Sequence, residues 1–525
     1  MKIKHIIISL MGATVLTGCG DFLEEYSQDH DYVRSWNDLN ELLIGDCYMP
    51  VETADMFSNY ANPGMFLHLF SDELDDESIS GSESFLGYGV YHQEFGCRTW
   101  QDRLGANEDF TTFYTENTTW TKLYKYINVA NNILSSAENV PQTTDDEKAG
   151  VNYVKGQAHF LRAFYYFWLT NIYGQPYAPS TAATELGVPL KTNPEVKDIK
   201  YSRNTVQECY DLIISDLKLA EDELTAAKSI TRKSIYRADS VSAQALLSRV
   251  YLYTQDWEQA ATYAKKVIKR YGTLEDLKST TSSFMLTTNP ETVFSMGGDD
   301  LPKILYFGNQ GMTVSQDLYK SYDSKDLRKS KWFWVYSNFV GCIKQPETQH
   351  AYEQSSQYYY SYNYSGSQWG ISSLFWLRSG EAYLNLAEAE AYMGNEEEAR
   401  EAVNTLRQNR YASNATNTDI TSTGSELITD IRNERKKELV CEGHRWFDLR
   451  RYRVCSVQLE KVELTHKFSV YEKDTSSAPP LETRVYKLSA DDPSWTAPIP
   501  YEVLDFNTGM PSNGNKRRTD YTIEK

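Results

Sequence analysis

The chain has 525 residues, and its 72 acidic against 53 basic side chains leave a formal charge of −19. That balance excludes a nucleic-acid partner, because a phosphate backbone needs a basic footprint. Hydrophobic residues at 41% and charged residues at 24% make an ordinary folded composition and exclude a disordered chain.

Lys2 and Lys4 precede a short apolar run, residues 6–16, which has the length of a signal-peptide core and is too short to cross a bilayer. It ends in Leu16-Thr17-Gly18-Cys19, which resembles a bacterial lipobox. The expected chemistry is a lipid thioether on Cys19 with cleavage before it, so that acyl chains anchor the mature protein without threading it through the membrane. The acidic tract that follows, with Asp21, Glu24, Glu25, Asp29 and Asp31, resembles the export signal of cell-surface lipoproteins in Bacteroidetes. Residues 1–18 therefore read as a signal peptide, 19–35 as a lipidated acidic tether and 36–525 as a single domain.

Residues 36–43 read as a first helix. Residues 65–69 lead into Ser71-Asp72-Glu73-Leu74-Asp75-Asp76-Glu77, an acidic helix end or loop. The run lacks the alternating D-x-D-x-D-G order of a calcium loop. No metal or cofactor is expected, and a structural calcium ion at this run is the alternative. Residues 79–119 mix Gly, Ser and Thr with Phe85, Tyr88, Tyr91, Phe95 and Trp100, and no helical period survives. This is a loop-built region, and loops carry function more often than scaffolds do. Trp120, Leu123, Ile127, Ala130 and Leu134 predict a helix over 120–137. A second helix over 151–173 ends at Gly174, with Pro176 beyond. Asn204 or Thr205 caps a third, running to 224.

An internal echo follows. Tyr253-Thr254-Gln255-Asp256-Trp257-Glu258-Gln259-Ala260 has the layout of Tyr392-Met393-Gly394-Asn395-Glu396-Glu397-Glu398-Ala399. Ala/Leu-rich helices precede both, at 242–252 and 377–391, and others follow, at 260–269 and 399–408. This is the helix–turn–helix plan of tetratricopeptide repeats, here as an interrupted array. The interruption, about 271–373, holds Tyr306, Lys331-Trp332-Phe333-Trp334-Val335-Tyr336 and a Tyr-rich stretch that includes Tyr358, Tyr359, Tyr360 and Trp369. Rings among polar residues suit sugars, whose apolar faces stack and whose hydroxyls need amides or carboxylates. They suit a Tyr-rich hairpin packed on the scaffold equally well. From residue 456 the chain reads as loops with scattered short strands.

Residues 431–452 pack opposite charges and large rings into two amphipathic segments. Arg435 and Glu438 stand three apart, as do Arg445 and Asp448, a spacing that puts each pair on one helix face. Leu439, Trp446, Phe447 and Leu449 add apolar surface, and Gly443 sits where a helix would end in a left-handed residue. So dense a mixture predicts partial burial with its ions paired, because an unpaired buried charge is very costly. Glu434, Glu438, Glu442, His444 and Asp448 also look like acid–base or metal candidates. Interleaved arginines, however, neutralise carboxylates instead of raising their pKa. The chain has no H-E-x-x-H and no G-x-S-x-G. Its seven cysteines form no C-x-x-C pair, and Cys441 reads as an inert buried thiol.

These blocks fall in the order of the SusD/RagB family of outer-membrane nutrient-binding lipoproteins. The chain resembles that family in the Cys19 lipobox, Trp120-Thr121-Lys122-Leu123-Tyr124 with Asn131-Asn132, and Phe160-Leu161-Arg162-Ala163 with Tyr173-Gly174. It also does so in Ala245-Leu246-Leu247-Ser248-Arg249, in the 432–450 block and in Pro498-Ile499-Pro500. The resemblance implies an all-α, mainly α-helical fold. Its tetratricopeptide-like scaffold lies mainly at 120–270 and 374–453, with a few short strands and aromatic-rich loops at about 72–119 and 271–373. It implies a lipid-anchored protein on the outside of the cell outer membrane, a lid over a SusC-like TonB-dependent transporter, that captures glycans, or in some relatives peptides, without catalysis. Arg435, Glu438, Glu442, Gly443, His444, Arg445, Trp446, Asp448 and Arg450 would be structural signature. Ligand contacts would come from loop residues, for which Asp72, Tyr88, Arg98, Trp100, Tyr306, Trp332, Trp334, Tyr360 and Trp369 are the candidates. A glycoside hydrolase, whose carboxylates are far apart in sequence, and a repeat scaffold binding only protein are the alternatives.

Overall fold

The computed structural model describes residues 33–49, 63–76, 92–195, 197–230, 234–280, 283–298, 312–336, 339–345, 349–354, 357–362, 370–416, 418–471 and 480–524. In chain order the first half holds α1 (Trp36–Leu42), β1 (Leu74–Asp76), α2 (Thr118–Ala137), α3 (Asp145–Tyr173), α4 (Val206–Ala226), α5 (Ser240–Thr254) and α6 (Trp257–Tyr271). The insertion holds β2 (Thr292–Ser295), β3 (Met312–Val314), β4 (Phe333–Tyr336), β5 (Phe339–Cys342), β6 (Gln349–Gln354) and β7 (Gln357–Tyr362), and β8 (Trp376–Arg378) follows it. Then come α7 (Ser379–Met393), α8 (Glu396–Gln408), α9 (Gly424–Glu438), α10 (Arg445–Tyr452), β9 (Leu464–Val470), β10 (Glu482–Leu488), α11 (Tyr501–Phe506) and β11 (Thr522–Glu524).

The core is built on α3. This helix begins at Asp145, before the expected residue 151, because Thr144 and Glu147 form a capping box. The Glu147 N–H donates to Thr144 Oγ1 at 3.2 Å and the Thr144 N–H to Glu147 Oε2 at 2.9 Å. From Gly156 to Tyr173 every residue is buried, as expected of a helix that is apolar nearly all round. Gly156 lets α4 close in, since a Cβ there would stand 2.6 Å from Leu224 Cγ. Arg162 then clasps three helices. It grips Asp216 of α4 at 2.8 and 2.7 Å and donates to Asn131 Oδ1 of α2 at 2.8 Å. Thr205, not Asn204, caps α4.

The sequence echo is a pair of helix pairs. α5 ends at Gln255 (φ 63°) and α7 at Gly394 (φ 82°), both left-handed, so the chain reverses within a few residues. α5 and α7 are buried over most of their surface. α6 and α8 bury a single stripe, Ala260, Ala264 and Val267 in one and Ala399, Val403 and Leu406 in the other. α6 packs directly on α7, so the array interrupted in sequence is contiguous in space, and the insertion leaves it between them.

Strands are more numerous than expected but short. β10 lies between β9 and β11 in an antiparallel sheet, where the sequence reading gave scattered strands. β1 pairs with β3, β2 with β8, β4 with β5 and β6 with β7, all antiparallel. Residues 74–76, expected as a helix end or loop, are thus a strand, with Asp75 opposite Thr313. Among the described residues no helix is long and apolar enough to cross a membrane.

Candidate functional site

The block at 431–452 spans α9, a turn and α10. Gly443 is left-handed as expected (φ 72°), and Leu374 Cδ2 would stand 2.5 Å from a Cβ placed there. The ion pairs differ from the expected ones. Arg435 and Arg445 do not pair along their own helices. Arg435 donates to Asp448 at 2.9 Å, and Arg445 to Asp72 at 2.7 Å, 373 residues away in sequence.

Glu438 is the hub of a buried network. Its carboxylate accepts from Arg378 and Arg410 at 2.8 Å each and from Arg328 at 2.9 Å. Glu291 shares Arg378 at 2.9 Å and Arg410 at 2.6 Å, while Glu442 takes Arg378 at 3.0 Å and the Lys344 ammonium. Asp326 holds Arg328 with both oxygens, at 2.9 and 2.8 Å. Burial pushes the Glu438 carboxyl up, but the Arg410 and Arg378 guanidiniums outweigh it and hold the group well below the carboxylate range. Glu291, Asp326, Arg328 and Lys344 come from the insertion. The signature therefore staples the insertion to the helical array.

The rest of the signature performs the same kind of task. Asp448 also takes Arg451 at 2.8 Å, and Arg451 grips Glu388 at 2.5 and 2.7 Å. Arg450 donates to the Asn171 and Gly174 carbonyls and to Thr496 Oγ1 at 3.0 Å. Trp446 stacks on Trp495, with ring centres 5.0 Å apart and planes 11° apart. Burial, and then the neighbouring arginines, hold the His444 imidazole well below its ordinary pKa. Glu434 is ion-paired to Arg328 at 2.6 Å and to Arg407, beside a polar cleft that also involves Asp430 and Lys437. Glu434, Glu438, Glu442, His444 and Asp448 are all buried, an arrangement for holding structure and not for moving protons.

The loop candidates divide. Trp100 and Trp332, named as ligand platforms, are buried at 1% and 0% exposure and offer no face to a ligand. Trp100 adopts φ 51°, donates its indole N–H to the Phe70 carbonyl at 3.1 Å and stacks on His466. Trp332 lies between Phe284 and the Lys344 ammonium, which stands 4.2 Å from its ring centre. Arg98 is buried too, and its Nε donates to the Lys467 carbonyl at 2.9 Å. Asp72 is bound to Arg445 and to Lys436 at 2.7 Å. Burial opposes its ionisation, but the two cations prevail and hold its carboxyl far below the usual range. Trp334 is half-buried on the β4–β5 hairpin, edge-on to Phe339, next to Val335, which is 44% exposed. Tyr360 falls in β7, opposite Ala351. Tyr88, Tyr306, Trp369 and Cys19 lie outside the described residues.

Among the described residues of the acidic run, 72–76, the carboxylates go to separate partners. Asp72 is ion-paired, Glu73 accepts from the Cys441 N–H at 3.2 Å and Asp76 from the Ser469 N–H at 3.3 Å. Glu77 lies outside the described residues. Sequence reasoning missed the partners Glu291, Asp326, Arg378 and Arg410, which no motif marks in the sequence.

Two family models match in succession. One, described as starch-binding associating with outer membrane, covers residues 75–252, and the other, described as SusD family, covers 275–515. A SusD-like protein P2 from Formosa agariphila is 26% identical over 505 residues, 86% of this chain and 90% of the relative. A SusD superfamily protein from Bacteroides thetaiotaomicron has the same fold, with a TM-score of 0.65 at 23% identity, over 92% of this chain and 100% of its own. Surface glycan-binding protein A from Bacteroides uniformis gives 0.62 at 16% identity, over 91% and 99%. Matched on both sides of the insertion's start and sharing a fold along most of its length, the chain belongs to the SusD family.

Proposed function

We propose that the chain is a cell-surface glycan-binding lipoprotein, anchored through Cys19 to the outer face of the outer membrane. It captures oligosaccharides or polysaccharides and delivers them uncleaved to a SusC-like TonB-dependent transporter. The observation that carries this reading is the match of residues 75–252 to a family described as starch-binding and associated with the outer membrane. Two features of the fold support it. The insertion is pinned by a buried ion network, so its loops stand on a rigid base. The β4–β5 hairpin of that insertion presents half-buried Trp334 beside exposed Val335. A ring in that position stacks on a sugar's apolar face, and stacking on a ring is worth about 1–3 kcal/mol in the analogous base–aromatic case.

A glycan array probed with the mature chain tests the reading. A saturable neutral or charged glycan ligand is expected, and Trp334→Ala should weaken it about tenfold. Release of reducing ends that stops when one carboxylate is amidated would replace capture with hydrolysis. Binding of peptides alone would replace the glycan.

A further inference from the structure

A second concave surface lies away from the β4–β5 hairpin and shares no residue with it. It is a groove of about 370 Å³ between the N-terminal half of α2, the segment 189–201 and the chain around α11, within the range typical of small-molecule sites. In a chain with 72 acidic and 53 basic side chains, no Asp or Glu lines it, while Lys125, Lys191 and Lys197 do. Lys191 donates to Asn128 Oδ1 at 2.8 Å, a neutral partner, and burial draws its ammonium pKa down. Among the described residues Lys125 makes no ion pair. Lys197 pairs with Glu195 at 2.5 Å, both side chains more than half exposed, so that contact exchanges readily with a ligand anion.

The walls are aromatic and fixed. Tyr124 donates its hydroxyl to the Pro189 carbonyl at 2.7 Å, and its ring leans on Trp120 with centres 5.0 Å apart. Tyr201 is tied to the chain by its N–H, which donates to Asn507 Oδ1 at 2.9 Å. Rigid rings serve the apolar face of a pyranose, and the Asn128 and Lys191 side chains serve its hydroxyls. A neutral sugar would leave Lys125 and Lys191 without a counter-charge. An acidic peptide would supply charge, but the described residues of 189–201 form no strand and offer no sheet edge for an extended backbone to join.

We propose that this groove is a second saccharide site, suited to a sugar chain that carries carboxylate or sulfate groups. The proposal extends the glycan-capture reading and does not depend on the Trp334 face. Calorimetric titration of the full mature chain with trigalacturonate, a sulfated galactan oligosaccharide, neutral galactotetraose and a polyglutamate peptide tests it. At least one of the two anionic sugars should bind about tenfold tighter than the neutral one and weaken as salt rises. The double variant Lys125→Ala/Lys191→Ala should lose about tenfold for that sugar with an unchanged urea midpoint. The single variant Lys125→Glu should lose as much. The two anionic arms decide between carboxylate and sulfate. Failure of both to bind, equal binding of the neutral sugar, tighter binding of polyglutamate, or an unaffected double variant would each overturn the proposal. A chain that binds neutral glycans through Trp334 but neither anionic sugar sinks this site alone. A chain that binds no glycan sinks the capture reading as well.

Discussion

Glu438 accepts from three guanidiniums in a place with no access to water. Such a carboxylate adds little over an apolar core of the same shape, but its removal strands the arginines. Glu438→Gln keeps the volume and removes the charge, so it should cost about 3–5 kcal/mol in urea unfolding. A loss below about 1 kcal/mol would mean that Glu291 and Glu442 hold Arg378 and Arg410 unaided. His68 sets a pH dependence. Burial lowers its pKa from 6.5 to about 4. Between those values the unfolded chain binds the extra proton, so stability rises with pH, is fully present above about 6.5 and is lost as pH falls through about 4. Glu73 acts in the opposite sense. Burial and the charge of Asp72 push it up to about 8, so its share of stability is lost as pH rises from 4.5 to about 8. His68→Phe should therefore flatten the acid side of the stability profile, by up to about 3 kcal/mol between pH 6.5 and pH 4, and leave the slope above pH 6.5 unchanged. An identical acid limb in the variant would assign it to other groups. At this scale the sequence foretold partial burial with paired ions in the 431–452 block, because large rings interleaved with the charges draw the segment inward and buried ions must then be paired. It did not foretell the partners, since Asp72 and Arg445 meet only through the fold. Nor did it separate Trp100 and Trp332 from Trp334. A tryptophan among Gly, Ser and Thr reads alike whether its indole meets a carbonyl or a ligand.

The elements that were legible carry local signals strong enough to stand without tertiary help. The 120–137 helix shows in its apolar period, α4 in its Thr205 cap, and the repeat pairs in their shared turn layout. α3 extends beyond its apolar stripe because its first turn is polar and is held by Thr144 and Glu147 instead. β1 was illegible because three acidic-rich residues become a strand only when β3 supplies the ladder. Gly156 gives a test in which packing opposes propensity. Gly→Ala inside an exposed helix gains about 1 kcal/mol. Here the new methyl would meet Leu224 Cγ at 2.6 Å and the Leu224 backbone nitrogen at 3.1 Å. Gly156→Ala should therefore destabilise by about 1–3 kcal/mol, the usual range for overpacking, and shift the urea midpoint without changing its slope. A stabilised variant would show that α3 and α4 are less tightly packed than their contact implies.

At the scale of the whole molecule the proposed function needs a fixed address, because a captured glycan helps only if the protein stays beside its transporter. In the proposed reading that address is the lipid expected on Cys19. Each buried methylene of an acyl chain contributes about 0.8 kcal/mol; one chain binds reversibly, and two or more hold durably. Cys19→Ser removes the thiol that the lipid needs and leaves the folded domain, which begins more than a dozen residues later at Trp36, untouched. In cells, the wild-type chain should stay with outer membranes through a high-salt wash and be cut by protease added outside intact cells. The serine variant should keep the same unfolding midpoint after purification but leave the membranes in that wash. Salt separates the two ways of being held, since it screens exposed charges more than about 10 Å apart at 0.1 M and more than about 3 Å apart at 1 M, and does not weaken acyl burial. A serine variant that resists the wash would place the anchor in contacts with a membrane protein, and the lipid on Cys19 would then have no mechanical role.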